Sequence, residues 1–305
     1  MLMRSLKAIA AEREFDESAF AAYMRGEWLR QEESIASSNV VIDSLMCPGY
    51  KYSPIKTSGK LSKNLIPKAE RFYNKLFSKV NDGVIVIVGD QDESIVRKQL
   101  RECLGGFATE KSAPARPLIS YQPTSGSMTH ITEGERNAVY MAMSIPMPLT
   151  LKNYVTSEVA GMLLNNYVSS SLVGTGMYAK VYSDRRITPD ERFNVMVVLE
   201  EVPGSFGDNT LDQARRILKE EMESGLFEIT DVQLKACKEW MKHNRVVRSS
   251  KPDYWVNAIL LRYLQGKDFT TGYAGRIDKV TSEGVRKLMS SLKDAGKVEY
   301  IIRRK

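Results

Sequence analysis

Residues 82–104 read DGVIVIVGDQDESIVRKQLRECL, an apolar run that stops at Gly89-Asp90 and leads directly into a helical pattern. The β-prone residues 84–88 are too few to span a membrane and are typical of a strand buried on both faces. Asp90 and Glu93 have the spacing of a capping box, and apolar residues then recur on one helical face. The pattern therefore predicts a strand, a tight turn and an amphipathic helix.

The turn at Gly89 allows two functional readings. It could bind a phosphate group, or it could be an architectural turn between a core strand and its covering helix. A phosphate loop needs several glycines so that backbone N–H groups can converge on the anion. Because only Gly89 lies between the predicted strand and helix, the sequence favours the architectural turn.

The length and composition are those of an ordinary globular protein. The chain has 305 residues, of which 43% are hydrophobic and 27% charged, enough for one large domain or two smaller ones. No apolar run approaches the roughly 20 residues of a membrane helix. Arg4 and Lys7 interrupt the apolar residues near the N-terminus, which is not the pattern of a signal peptide. These features predict a soluble protein.

The net charge of +7 raises the hypothesis of nucleic-acid binding. Residues 50–63 contain lysines and tyrosines but no acid: Tyr50, Lys51, Tyr52, Lys56, Lys60 and Lys63. Elsewhere acids and bases alternate along helices, as in residues 215–223, which is typical of solvated surfaces. The sequence therefore favours neither a nucleic-acid partner nor a membrane partner.

Three cysteines, Cys47, Cys103 and Cys237, lie far apart in the chain. Their spacing predicts neither a zinc ribbon nor a disulfide framework. Cys103 and Cys237 fall on apolar helical faces, where we expect them to be buried as small hydrophobic residues.

Only two histidines, His130 and His243, are present. His130 begins the sequence HITE, which resembles the start of an HxxEH zinc motif, but Gly134 stands where the second histidine is required and the segment is predicted to be extended. His243 is predicted to lie on a helix surface. Because the chain also contains no nucleophile elbow, phosphate loop, CxxC pair or acidic metal cluster, it is a poor candidate for an autonomous enzyme.

Hydrophobic periodicity predicts further helices and strands in no strict βαβ order. Residues 47–65 are predicted to be a loop. The class is therefore α+β, with a mostly antiparallel sheet covered by helices. The predicted strands are 139–145, 177–183, 193–200 and 297–303, with a short edge strand at 118–121, and the predicted helices are 16–37, 67–77, 151–168, 209–224, 231–248, 253–265 and 282–293.

The order of these elements resembles a known family. Residues 68–107, KAERFYNKLFSKVNDGVIVIVGDQDESIVRKQLRECLGGF, resemble the pitrilysin/insulinase family of zinc metallopeptidases, in which a short aromatic helix, an asparagine, an apolar strand, a VGD turn and a helix follow one another. Ile145-Pro146 at a strand end, the long helix after it, a glycine-containing loop before Tyr178 and the sequence FEIT before a later helix follow in the same order. The resemblance spans about residues 16–305.

The resemblance implies a LuxS/mitochondrial processing peptidase-like metallopeptidase fold. Members of the family have two homologous halves, each of two α+β subdomains, that close on an unfolded peptide. In the active half an inverted HxxEH motif and a distal glutamate bind zinc, and the motif's glutamate is the general base for the metal-bound water. This chain has no such motif, so the resemblance implies the C-terminal, non-catalytic portion, inactive alone and without a cofactor, with zinc expected in the catalytic half.

The resemblance also implies a domain boundary and partners. Residues 1–62 resemble the terminal helices and exit loop of a preceding subdomain, and residues 63–305 resemble the α+β C-terminal subdomain. Glu27, Glu32 and Glu33 lie where an active half could hold its distal ligand, but without a histidine pair they are interpreted as solvated helix charges. The expected partners are a peptide substrate and an HxxEH-bearing half, on the same polypeptide or on a separate subunit.

A substrate clamp is the site that the resemblance implies for this portion, commonly an arginine and a tyrosine near the glycine-containing loop. Tyr178 matches the tyrosine, whereas the expected position of the arginine falls near Ser171. The tyrosine hydroxyl could hydrogen-bond to a substrate carbonyl, and Gly174 and Gly176 would let the backbones approach closely. In the alternative interpretation, Tyr178 only packs at the start of a strand.

Three functions are compatible with these features. The main hypothesis is the substrate-clamping, non-catalytic portion of a zinc peptidase. The first alternative is a stand-alone, non-enzymatic subunit that binds peptides or scaffolds an active partner. The lesser alternative is a basic nucleic-acid-binding protein that uses residues 50–63.

Overall fold

The computed structural model of the chain comprises two compact units. The first unit contains residues 1–34 and 56–117, and the second contains residues 35–55 and 118–305. The predicted boundary between residues 62 and 63 lies outside the described residues and stays a prediction. The structure describes residues 16–23, 25–26, 38–46, 65–77, 84–105, 124–133, 136–187, 190–202 and 210–305.

The secondary structure of the described residues mixes helices and strands. The helices are α1 (Ser38–Met46), α2 (Leu65–Phe77), α3 (Glu93–Leu104), α4 (Leu151–Ser171), α5 (Thr210–Ser224), α6 (Asp231–Ser249), α7 (Pro252–Gln265), α8 (Tyr273–Asp278) and α9 (Ser282–Ser290), followed by a 3₁₀ turn at Ser291–Asp294. The strands are β1 (Gly126–Thr132), β2 (Ala138–Pro146), β3 (Met177–Arg186), β4 (Arg192–Glu201) and β5 (Gly296–Arg304).

The first unit, where it is described, is mostly helical. Residues 17–23 and 25–26 are helical as predicted, and α2 confirms the helix predicted at 67–77. The helix after Gly89 is also confirmed as α3. Its N-cap is Asp92, whose Oδ1 accepts a hydrogen bond from the Ser94 N–H at 2.7 Å, so the helix begins two residues later than a cap at Asp90 would place it.

The prediction of a strand buried on both faces at residues 84–88 is wrong. This segment is not paired with another strand among the described residues. Val84, Ile85 and Ile87 are 41%, 47% and 38% exposed. Burial on both faces requires neighbours on both sides, and a short β-prone run specifies a local preference without specifying those neighbours.

A five-stranded sheet in the order β1-β5-β2-β4-β3 forms the centre of the second unit. β2, β4 and β3 pair antiparallel, β2 also pairs antiparallel with β5, and only β1 pairs in parallel, with β5. The α+β class with a mostly antiparallel sheet is therefore confirmed. β1 was not predicted, because GSMTHIT lacks a regular alternation of apolar and polar residues.

Both faces of β2 are covered, which explains its apolar sequence. Val139, Met141 and Met143 belong to the main core on the face covered by α4 and are at most 2% exposed. Ala142 points to the opposite face and belongs to a second cluster with Ile42 of α1. The sheet is thus the middle layer between α4 and α1, although α1 covers only part of its face.

Local signals placed most of the remaining helix ends correctly. Thr230 and Gln233 form a capping box at the start of α6, and Gly266 ends α7 with a left-handed conformation at φ +64°. The helix α8, of six residues, was not predicted. The hairpin of β3 and β4 and the C-terminal strand β5 confirm the predicted strands at 177–183, 193–200 and 297–303.

Of the two cysteines that the structure describes, one is buried and one is half-buried. Cys237 on α6 is buried as predicted, and burial raises the pKa of its thiol to about 11. Cys103 on α3 is only half-buried. Cys47, the predicted loop up to residue 64 and the predicted strand at 118–121 lie outside the described residues. Among the helices that the structure describes, none is long and apolar enough to cross a membrane.

Candidate functional site

The glycine-containing loop connects α4 to β3 in the second unit. Gly174 and Gly176 have φ angles of +81° and +73°, in the left-handed region that favours glycine. A Cβ added at Gly174 would meet nothing within 4 Å, so this glycine is needed for its backbone conformation and not for close packing. The Thr175 hydroxyl donates a hydrogen bond of 2.7 Å to the Leu172 carbonyl, which closes the turn on the end of α4.

Tyr178 is exposed on the sheet face opposite α4, near the start of the edge strand β3. Its side chain is 56% exposed and lies beside Glu200 of β4 in the strand register. Alternate residues of a strand share a face, so Lys180, Tyr182 and Asp184 follow Tyr178 along β3. We call these four residues the Tyr178 row.

Lys180 interacts with the aromatic residues of the Tyr178 row. Its Nζ lies 4.9 Å from the centroid of the Tyr182 ring. The pKa of Lys180 is raised above its usual value, first by a side-chain hydrogen bond with Tyr182 and to a lesser extent by Tyr178 and Glu200. This end of the sheet therefore presents aromatic surface, hydroxyl groups and a positive charge together.

The position predicted for the clamp's arginine contains no cation. Ser171 ends α4, and its hydroxyl donates a hydrogen bond of 3.1 Å to the Tyr167 carbonyl of the preceding turn. No hydrogen bond from another described residue holds the Tyr178 hydroxyl. Gly174 and Gly176 thus lie in the loop that leads to Tyr178 near the start of β3, and position 171 supplies no cation.

The outer edge of β3 is partly blocked by side chains of α4. The Asn165 amide oxygen accepts a hydrogen bond of 2.9 Å from the Val181 N–H, and the Ser169 hydroxyl donates one of 3.3 Å to the Ala179 carbonyl. Side chains that occupy the peptide groups of an edge strand protect it against pairing with another chain. The protection covers only the first half of β3, and the second half borders a groove.

The groove beside β3 was not predicted from the sequence. It is a cavity of about 420 Å³ between β3, α4 and α6, and its lining includes Lys180, Arg185, Trp240 and Arg248. These residues come from three elements, and no local motif connects them. The spacing of Trp240 and Arg248 on a helix was the available signal, but sequence alone does not show which neighbour the helix faces.

A second cavity, of about 390 Å³, lies on the face of the sheet next to α1. Its polar lining includes Asp43, Asp184 and Arg186. Burial raises the pKa of Asp43, and the nearby charge of Arg186 opposes this shift. Tyr182 of the Tyr178 row also lines this cavity, so the cavity adjoins the row.

The residues that the structure describes do not form a zinc site. They include no cluster of three or more His, Cys, Asp and Glu side chains able to hold a metal ion. His130 is exposed on the strand β1, which agrees with the predicted extended conformation, and His243 is exposed on α6. Glu27, Glu32 and Glu33 lie outside the described residues.

Known proteins share this helix-covered, mostly antiparallel sheet. The sequence pattern described as "Peptidase M16 inactive domain" matches residues 67–228, more than half of the chain. The chain therefore belongs to the peptidase M16 inactive domain family. A comparison with curated proteins gave no match.

Solved structures of low identity share the fold. The peptidase M16 inactive domain from Pseudomonas fluorescens is 13% identical with a TM-score of 0.68, and the alignment covers 100% of this chain and 74% of that one. The first half of the periplasmic protease PqqL from Escherichia coli is 13% identical with a TM-score of 0.72, with 98% and 70% covered.

A longer relative is the ferredoxin protease FusC, solved in complex with Arabidopsis ferredoxin. It is 16% identical with a TM-score of 0.61, and the alignment covers 92% of this chain. The chain spans only 30% of the length of the FusC chain. At identities of 13–16%, the comparison shows a similar fold and does not extend to function.

Proposed function

We propose that this chain is the non-catalytic, substrate-binding portion of a zinc-dependent peptidase and acts on peptides together with an HxxEH-bearing half. Zinc and the general base would belong to that half, on the same polypeptide or on a separate subunit. The observation that carries the proposal is the Tyr178 row, an exposed set of side chains that follows a glycine turn on an edge strand. The complex of FusC with ferredoxin supports a polypeptide ligand for a protein of similar fold.

Tyr178 is the residue that would contact the substrate. Its exposed hydroxyl can donate to a peptide carbonyl, and its ring can cover an apolar side chain. The neighbouring Gly174 has open space where a side chain would stand, so a bound backbone can pass close to the loop. The chain would orient the peptide, and the bond cleavage itself would take place in the other half.

Tyr178→Phe tests this role, because it removes only the hydroxyl. We expect binding of a labelled, unstructured polypeptide of mixed charge to weaken by about threefold to tenfold, the value of one net hydrogen bond. In the assembled peptidase the same change should appear in KM. The measurement is fluorescence anisotropy with the full chain, followed by steady-state kinetics with the catalytic half.

Tyr263→Phe is the matched control, since Tyr263 on α7 is 75% exposed and lies outside the Tyr178 row. It should leave the affinity unchanged. Equal affinities for the Tyr178→Phe variant and the unmodified chain would return Tyr178 to the interpretation of a residue that only packs at a strand start.

A stand-alone peptide-binding subunit is the second candidate. The observation that favours it is that the Tyr178 row and the glycine loop both lie within this chain. Purification of the chain from its natural source distinguishes the candidates. An HxxEH-bearing subunit in the complex supports the peptidase portion, and an isolated chain that binds peptides supports the stand-alone subunit.

A further inference from the structure

The groove between β3 and α6, introduced above, has the form of a site for an extended chain. We call it the edge groove. One wall is the outer edge of β3 from Lys180 to Arg185, the floor is α4, and the opposite wall is α6. Its volume of about 420 Å³ is within the range of roughly 300–1,000 Å³ of ligand pockets.

The β3 wall offers free peptide groups. Along a strand, successive residues turn their N–H and C=O groups to opposite edges. Ala179 and Val181 turn theirs away from β4. On that side the Ser169 hydroxyl donates to the Ala179 carbonyl, and the Asn165 amide oxygen accepts from the Val181 N–H. Ser183 and Arg185 turn their groups the same way, and these backbone groups have no partner among the described residues. The second half of β3 can therefore accept a further strand.

The α6 wall presents one stripe of side chains. Trp240, Asn244 and Arg248 are spaced by four residues and line the groove together. Trp240 is 54% exposed although it is the largest side chain on this face. An aromatic surface, an amide and a guanidinium group thus face the free edge of β3.

The groove is positively charged. The charged side chains among its described lining residues are the cations Lys180, Arg185 and Arg248 and one carboxylate. That carboxylate, of Glu158, accepts a hydrogen bond of 2.6 Å from the Tyr273 hydroxyl. None of the three cations forms an ion pair within the described part of the chain. Arg185 instead lies 5.3 Å from the ring centroid of Tyr154. Three cations beside one carboxylate favour an acidic occupant.

We infer that the edge groove binds an acidic, extended segment of the polypeptide substrate, which adds as a strand to Ser183 and Arg185 and places carboxylates against Lys180, Arg185 and Arg248. The inference rests on the proposed function, because it assigns a sequence preference to the same peptide-binding chain. Main-chain pairing gives affinity in such strand addition, and the side-chain contacts give the preference for acids.

The same cations could attract nucleic acid, but the groove fits a peptide better. A nucleic-acid backbone has no N–H or C=O groups in register with a strand edge, so it would leave Ser183 and Arg185 unpaired. Among the described residues that line the groove, Trp240 is the one aromatic side chain, whereas proteins that bind single-stranded nucleic acid normally use a series of aromatic side chains for stacking.

The test compares synthetic peptides on the full chain. An octapeptide of alternating glutamate and valine should bind about tenfold more tightly than the lysine and valine equivalent. Methylation of the central backbone nitrogens should abolish binding of the acidic peptide, because it removes the strand hydrogen bonds and leaves the charges. Raising the ionic strength from about 0.05 M to about 0.5 M should weaken binding.

Substitutions locate the site. Arg185→Gln and Arg248→Gln should each weaken binding of the acidic peptide by about threefold to tenfold. Arg216→Gln, on the exposed face of α5 with a side chain 71% exposed, removes the same charge outside the groove and should have no effect. Circular dichroism of each variant verifies the fold. If loss of the contact between Arg185 and Tyr154 impairs folding of the Arg185→Gln variant, the Arg248→Gln variant alone tests the site.

The outcomes separate the two proposals. If peptides bind without preference for acids, or if both arginine variants bind with unchanged affinity, the edge groove is not the binding site for an acidic segment. The proposed function would not be affected by that result. Absence of binding by any peptide would overturn both. Tighter binding of a single-stranded oligonucleotide of equal charge, lost in the same arginine variants, would replace the peptide by nucleic acid.

Discussion

Gly161 determines how closely α4 approaches the sheet. A Cβ at this position would lie 2.2 Å from the Ser183 Oγ and 2.9 Å from the Ser183 Cβ. The hydroxyl can rotate away, but the Cβ atoms cannot separate without moving the helix from β3. The contact also fixes the floor of the edge groove, since Gly161 and Ser183 both line it.

Gly161→Ala should therefore destabilise the chain by about 1–2 kcal/mol, because overpacking outweighs the roughly 1 kcal/mol that alanine gains in a helix. Urea unfolding measures the difference. Gly275→Ala in α8 is the matched control, since a Cβ there meets nothing within 4 Å, and it should be neutral or stabilising. A Gly161→Ala variant as stable as the original chain would contradict the close approach.

At the scale of elements, an ion-pair cluster connects α5 to β5, an interior strand of the sheet. The carboxylate of Glu299 is 8% exposed and accepts hydrogen bonds of 2.6 and 3.2 Å from Arg215, with Lys219 at 3.2 Å. Burial alone would raise the pKa of Glu299, but the two cations outweigh it and lower the pKa below its usual value. The charged form of Glu299 therefore stabilises the fold.

Arg215→Met should cost about 2–3 kcal/mol at neutral pH, because it leaves a buried carboxylate with only one cation. A carboxylate with a lowered folded pKa contributes stability above its unfolded pKa of about 4.3, and this contribution is lost as the pH falls through the folded pKa. The difference between the variant and the original chain should therefore be largest near pH 7 and narrow below about pH 4.

Urea unfolding at several pH values measures this dependence. Arg216→Met on the same helix is the control, since its pair with Glu220 is 4.0 Å long and exposed, and it should cost less than about 0.5 kcal/mol. A difference for Arg215→Met that stays constant from neutral to acid pH would mean that packing, and not the charge of Glu299, is responsible.

At the scale of the whole molecule, the sequence predicted the features with local signals. The helices α4, α6 and α7 follow from hydrophobic periodicity within short segments, and the structure confirms them. β1 was missed because it is defined by its parallel pairing with the distant β5, and its own residues do not alternate. The burial of residues 84–88 was predicted wrongly for a related reason, since neighbours determine burial.

The candidate site shows the same division. The resemblance placed Tyr178 beside Gly174 and Gly176, and the fold sets all three at the start of the edge strand. The edge groove was beyond prediction, because Arg185 and Arg248 meet only when β3 and α6 are both placed. The loop and the tyrosine could therefore be proposed as a site from the sequence, whereas the charges around the second half of β3 come together only in the tertiary structure.

The full sequence contains only two histidines, His130 and His243, and no HxxEH motif, and this gives a prediction for the whole chain. A ligand that binds only the folded state raises the unfolding midpoint by mass action, and its removal lowers it. We expect a chelator such as EDTA to leave the thermal midpoint of the isolated chain unchanged, and elemental analysis after dialysis to find no stoichiometric zinc. Zinc that survives dialysis, together with a midpoint lowered by EDTA, would show that this chain carries a metal site of its own. It would also contradict the division of labour proposed here, in which this chain holds the peptide and the other half supplies zinc.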